Sequence, residues 1–129
     1  MDALKLLTER YSEKKLNAPA PDKHQLTQMF QAALRSPDHG RLQPYRFIVI
    51  EQDKMTELSR LLKSAVHELN LGEERLKKAE NLATRAPMII GVVAKIDPNI
   101  KKVPEWEQLL CAGCATYAIQ LAANALGFK

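Results

Sequence analysis

Only two cysteines occur in the 129 residues, at 111 and 114, too few for the disulfide framework of a small secreted domain. The opening stretch MDALKLLTERYSEKK has no long apolar core, so no signal peptide or anchor is visible and a cytoplasmic setting is the expectation. Aromatic residues are few, one Trp, three Tyr and three Phe, and most lie inside apolar runs. A single-strand nucleic-acid binder would want exposed aromatics among basic residues, so no nucleic-acid partner is expected. The net charge is only +4, with Lys and Arg interleaved with Asp and Glu, and that mild excess suits an anionic small ligand equally well. There is no Gly-rich phosphate loop, no G-x-G-x-x-G, no G-x-S-x-G elbow and no H-E-x-x-H, so the usual nucleotide, hydrolase and zinc-protease readings have no support. Internal repeats and low-complexity segments are missing as well.

What is present reads as one α/β domain. Hydrophobic residues make up 46% and charged residues 26%, ordinary globular values, and a chain of this length can bury a core. Ala3, Leu4, Leu6 and Leu7 share one face of a short helix from Asp2 to Glu9. Asp22 stands as an N-cap with Gln25 three residues on, a capping box for a helix through Leu26, Met29, Phe30, Ala33 and Leu34 that should end before Pro37. Tyr45 to Ile50 is aromatic and β-branched, hence a strand. An apolar stripe through Met55, Leu58, Leu61, Leu62, Ala65, Val66 and Leu69 predicts a helix that Asp53 caps and Gly72 breaks. A polar helix over Glu73 to Thr84 follows. PMIIGVVAKI then reads as a central strand covered on both faces. From Pro104 to Gly127 small and apolar residues occupy every side, which predicts a long helix buried all round. A membrane span is the rival reading, and Glu105, Glu107, Gln120 and Asn124 argue against it.

Three short stretches could carry chemistry. Cys111-Ala-Gly-Cys114 has redox spacing, but Cys111 falls about two turns inside its helix, where the helix dipole no longer lowers a thiol pKa. Zinc would need a second ligand pair, and the histidines are scattered at 24, 39 and 67. Small buried packing residues are the reading of both cysteines, and surface decoration that of His24 and His67. ERYSEKK offers Arg10, Tyr11, Ser12, Lys14 and Lys15 just after a helix. A guanidinium and a hydroxyl there would hold phosphate, and a solvated loop is the alternative. Arg35, His39 and Arg41 form a second polar loop ahead of the first strand.

Taken together, Arg10-x-Ser12 with Lys14 two residues on, Arg35-Ser-Pro37-Asp38-His39, and Gln43-Pro44-Tyr45-x-Phe47 before a strand resemble the FMN-dependent nitroreductase family. The similarity is greatest to its YdjA-type NAD(P)H nitroreductase branch, which shares the entry VPxWEQ to the long helix. The resemblance implies an α+β, nitroreductase-like fold: a mixed sheet flanked by helices, a long buried central helix, and an intertwined homodimer with FMN at the interface. It implies a single domain over 1–129 whose relatives continue past LGF, so these residues would be either a fragment lacking the family's C-terminal part or a shortened member, and the expectation is that alone they bind FMN poorly.

By the same resemblance Arg10, Tyr11 and Ser12 hold the phosphate and ribityl end of FMN, Lys14 lies near flavin N1 and O2, Arg35 and His39 contact the cofactor, and Gln43 and Pro44 sit against the ring system. Leu121, Ala122, Ala123, Asn124, Ala125 and Leu126 match the stretch assigned to the nicotinamide nucleotide. Tyr11 stands where relatives are often basic, and Arg41 where many carry Asn. The implied activity is ping-pong hydride transfer from NADH or NADPH, through flavin N5, to a nitroaromatic, quinone or similar acceptor, with no catalytic side chain and no metal. A flavin-destroying or dehalogenating relative, and a non-catalytic FMN-binding dimer, are the alternatives.

Overall fold

A computed structural model describes residues 2–129. Five helices and two strands run in the order α1 (Ala3–Glu9), α2 (Lys23–Ala33), β1 (Tyr45–Ile50), α3 (Met55–Glu68), α4 (Glu73–Arg85), β2 (Ile89–Ala94) and α5 (Glu105–Ala125). They divide into two compact units, one made of residues up to Ser12 with Pro21–Ile48 and Gly91–Lys129, the other of Glu13–Ala20 and Val49–Ile90.

In the first unit α5 is the element on which the others pack, with α2 laid along it and α1 and the turn His39–Arg41 against it. Its inward face is Gln108, Cys111, Ala112, Ala115 and Ile119, spaced three and four apart as one side of a helix requires. Small side chains at 112 and 115 let α2 approach closely, where Met29 and Ala33 are buried. The expected capping box is formed: Asp22 Oδ1 accepts from Gln25 N at 2.8 Å and Gln25 Oε1 from Asp22 N at 2.9 Å. α1 is capped by Asp2, whose carboxylate accepts from Leu4 N, yet it buries no residue. Phe47 stacks between Phe30 and Tyr45, with centroids 5.0 and 5.1 Å away.

α5 departs from the expectation of burial all round. Trp106, Leu110 and Tyr117, on the side opposite Gln108 and Ala115, are exposed in this chain; on that side Arg10, at the end of α1, lies over the Tyr117 ring. Pro104 is its N-cap rather than part of its first turn. Its end is as expected: Gly127 has φ +96°, and Phe128 N donates to Ala123 O while Gly127 N donates to Asn124 O, the paired closure of a Schellman motif.

The sheet also departs from expectation. β1 and β2 form a two-stranded sheet, antiparallel within the first unit, where Lys95 N donates to Pro44 O at 2.9 Å and Gly91 faces Ile48. Two strands cannot make a mixed sheet, and β2, with one neighbour and with Val93 and Ala94 exposed, is not a central strand among the described residues.

In the second unit α3 and α4 form a helical pair. Ser59 Oγ donates to Ala79 O at 3.2 Å, and Lys63 pairs with Glu80 at 3.8 Å. Of the expected stripe Met55 is buried, but Leu61 and Leu69 are exposed, since α4 covers only part of the arc. Asp53 does not cap α3; it lies in a 3-10 turn, Gln52–Lys54, and Lys54 takes the cap position without a side-chain bond. Nor does Gly72 end that helix. Asn70, at φ +53°, does so, with Leu71 N donating to Val66 O and Asn70 N to His67 O, and Gly72 instead precedes α4.

Candidate functional site

Two groups of the expected residues lie in the first unit. The first is built where α1 stops. Arg10 is its C-cap, and the backbone leaves in an extended conformation, which carries Tyr11 and Ser12 away from the helix axis. Arg10 Nη2 donates to Ser12 Oγ at 2.7 Å, and the guanidinium lies 5.9 Å from the Tyr117 ring centroid, a cation held over an aromatic face. Because Ser12 oxygen accepts from Arg10, its own proton is free to point at a ligand. Arg10 and Tyr11 line an open cleft of about 490 Å³ with Asp2, Lys5, Glu9, Asn124 and Lys129. Lys129 Nζ stands 4.5 Å from the centroid of the Tyr11 ring. Of the segment 121–126 only Asn124 lines this cleft.

The second group is the loop between α2 and β1. After the last turn of α2 the chain must reverse into a strand, and Asp38 organises the reversal. Its carboxylate accepts from Leu42 N at 3.1 Å and Gln43 N at 2.9 Å, while its carbonyl accepts from Arg41 N. Gly40, Arg41 and Gln43 have φ of +79°, +52° and +47°, and such backbone at a non-glycine costs roughly 1–3 kcal/mol unless surroundings impose it. Glycine at 40 answers a second demand, since a Cβ there would meet Val103 Cγ2 at 3.2 Å. Arg35, His39, Arg41 and Gln43 are exposed and Pro44 is buried. Ser36 Oγ is buried without a hydrogen-bond partner.

His39 Nδ1 lies 2.6 Å from Glu107 Oε2 in the first turn of α5. Four residues along the same side, Cys111 is buried, and its thiol is pushed up to about 11 by burial first, then by the Asp38 carboxylate and by Cys114. Tyr45 is also raised, by burial and by Cys111 and Asp38. Cys114 is exposed, so the reading of both cysteines as buried packing holds for Cys111 alone. A helix turns about 100° per residue, and i to i+3 carries Cys114 past the edge of the face that α2 covers.

Lys14 lies in the other unit. Its carbonyl accepts from Arg85 Nε at 3.1 Å, and Leu16 N donates to Arg85 O, so Arg85 staples the segment that carries it. Sequence reasoning missed Asp38 as the loop's organiser, although an Asp ahead of Gly in Pro-Asp-His-Gly is a turn signal. Glu107 and Tyr117 had no local signal, because their partners are 68 and about a hundred positions away in the chain.

No group of three or more His, Cys, Asp or Glu side chains that could hold a metal occurs among the described residues. No described helix is long and apolar enough to cross a membrane.

Comparison with known proteins places the chain in a family. The model of the family described as "Nitroreductase family" matches residues 7–129. A Haemophilus influenzae protein provisionally named an NAD(P)H nitroreductase is 66% identical over 128 residues, 99% of this chain and 70% of that protein. Escherichia coli K12 YdjA, named in the same provisional way, is 44% identical over 99% of this chain and 69% of its own length. Among solved structures, a nitroreductase family protein from Clostridium novyi has a TM-score of 0.71 at 26% identity, covering 98% of this chain and 66% of that one. A Bacteroides fragilis nitroreductase with bound FMN has a TM-score of 0.75 at 19% identity over 96% of this chain and 65% of that one. This chain thus spans about two thirds of the length of the proteins it matches. The α+β fold and the match along nearly all its residues make the chain a member of the nitroreductase family.

Proposed function

We propose that the chain is the flavin-binding part of an FMN-dependent NAD(P)H oxidoreductase acting by a ping-pong cycle, and that residues 1–129 belong to one nitroreductase-like domain, since the family match runs through both units. The observation that carries the reading is the Arg10–Ser12 pair at 2.7 Å, two donors side by side of which Arg10 lines the cleft, the donor set that a phosphate monoester needs. The cofactor is taken as FMN, because relatives are named NAD(P)H nitroreductases and a solved neighbour binds FMN.

Bound FMN would supply the two-electron chemistry, accepting hydride at N5 from NADH or NADPH and passing it to a nitroaromatic, quinone or similar acceptor. The chain's residues bind and orient. Arg10 and Ser12, beside Tyr11, take the phosphate and ribityl end. The loop with Arg35, His39, Gln43 and Pro44 takes the ring system, its backbone fixed by Asp38 so that little is left to order on binding. Lys14 places a cation near N1 and O2, where charge develops on reduction. Leu121–Leu126 meet the nicotinamide nucleotide. The apolar side of α5 at Trp106, Leu110 and Tyr117 packs on a second copy, with FMN at the interface, and the protein works in the cytoplasm.

Absorbance of the purified full protein tests this. A yellow dimer whose flavin bands bleach anaerobically with NADH or NADPH and return with a nitroaromatic is the expected result. A colourless protein that takes up no FMN overturns the reading, and a yellow one that neither coenzyme bleaches leaves a passive flavin binder.

A further inference from the structure

The Asp38–Pro44 loop touches the first half of α5 at two points, and one of them carries an unassigned role. Glu107 and Cys111 are four residues apart on one side of α5, Glu107 facing His39 and Cys111 beside Asp38. The close approach of Gly40 to Val103, just ahead of α5, brings the loop near enough for His39 to reach across. The result is a 2.6 Å contact between residues 68 apart in sequence, with the His39 side chain 59% exposed and that of Glu107 29%. An exposed histidine tied at one ring nitrogen presents the other to whatever the loop binds.

An ionised carboxylate has acceptors only, so the ring nitrogen facing it must carry the proton. We propose that Glu107 is a positioning residue: it fixes neutral His39 as the Nδ1–H tautomer, so that Nε2 is an acceptor recognising an N–H or O–H donor of the bound flavin. The flavin offers ring N3–H and the ribityl hydroxyls as such donors. The recognition half of the proposal rests on the reading of this loop as the FMN site; the tautomer half does not.

Long-range proton–nitrogen NMR on the full protein, with the His39 signals identified by their loss in His39→Gln, reads the tautomer directly. Wild type is expected to be Nδ1–H. Glu107→Ala should move the ring toward Nε2–H, and Glu107→Gln, whose amide oxygen still accepts, should keep most of the wild-type form. FMN affinity should fall about five- to tenfold in Glu107→Ala, the scale of one hydrogen bond, with His39→Ala and the double variant no worse than His39→Ala alone. Circular dichroism confirms that each variant is folded. An Nε2–H ring or a doubly protonated ring in wild type, or a tautomer indifferent to Glu107→Ala, overturns the proposal. So does an FMN affinity that His39→Ala weakens and Glu107→Ala leaves alone. If the tautomer behaves as stated but neither variant alters FMN affinity, the flavin reading of the loop falls, the recognition half with it, and the pairing stands.

Discussion

Arg10 shows what a single side chain contributes when two neighbours hold it. It donates to Ser12 and lies over Tyr117, so its replacement removes a charge-assisted donor already aimed. Arg10→Ala should weaken FMN by roughly 1.5–3 kcal/mol and riboflavin, which lacks the phosphate, far less. Fluorescence titration with the two ligands decides it, and equal losses would remove Arg10 from the phosphate site. Cys111 gives a second expectation. Its thiol is raised to about 11 in the fold, so the folded state holds its proton more tightly than the unfolded chain. The stabilisation is complete below the ordinary thiol pKa and is lost as pH rises from there through about 11. Alkaline denaturation of Cys111→Ala should therefore show a shallower loss of stability over that window than wild type. Ellman's reagent on the native protein should label Cys111 only on unfolding; a fast-reacting Cys111, identified with Cys114→Ala, would contradict its burial.

Elements obeyed the sequence where the signal was local. The capping box at Asp22 and Gln25, the strand from Tyr45 and the closing glycine at 127 were legible because each depends on residues within a turn of one another. Asp53 was a misleading cap because the chain makes a 3-10 turn first, and Asn70 took a role expected of Gly72 because Asn also tolerates positive φ. Gln108 was invisible for the opposite reason. It is 1% exposed, and its amide accepts from Asp97 N and donates to Asp97 O and Val103 O at 2.8, 2.8 and 2.9 Å. That ties the connection from β2 into α5 at Asp97 and Val103. Gln108→Ala should cost roughly 2–3 kcal/mol, since it leaves several partly buried groups unpaired. Urea denaturation measures it, and a loss below half a kcal/mol would mean that the connection holds itself.

For the whole molecule, two ordered motifs, Arg10-x-Ser12 and the loop from Arg35 to Pro44, were legible as candidate binding segments, and their partners Glu107 and Tyr117 were not, because these reach them only through the packing of α5. That helix has apolar residues on two sides, and on the second this chain brings only Arg10 over Tyr117 and the cleft at Asn124. Trp106, Leu110 and Tyr117 are respectively 62%, 61% and 43% exposed, a stripe at helical spacing that suits association with a second copy. Leu110→Lys puts a charge in the stripe without touching the inward face. Sedimentation of the full protein should show a dimer in wild type and a monomer with less bound flavin in the variant; an unchanged dimer would place the contact elsewhere.

The Tyr117 ring beneath Arg10, with Ser12 at its tip, also bears on time. A free arginine samples many rotamers, worth about 2 kcal/mol of entropy, and a clamp that must first find its shape captures only a fraction of the ligands that collide with it. Here the bond to Ser12 and the Tyr117 ring narrow that search in the folded chain. If Arg10 is the phosphate clamp proposed above, an incoming phosphate would meet a guanidinium already placed, and loosening this perch by Tyr117→Leu would appear first as slower capture of the cofactor, before any change in how long it stays.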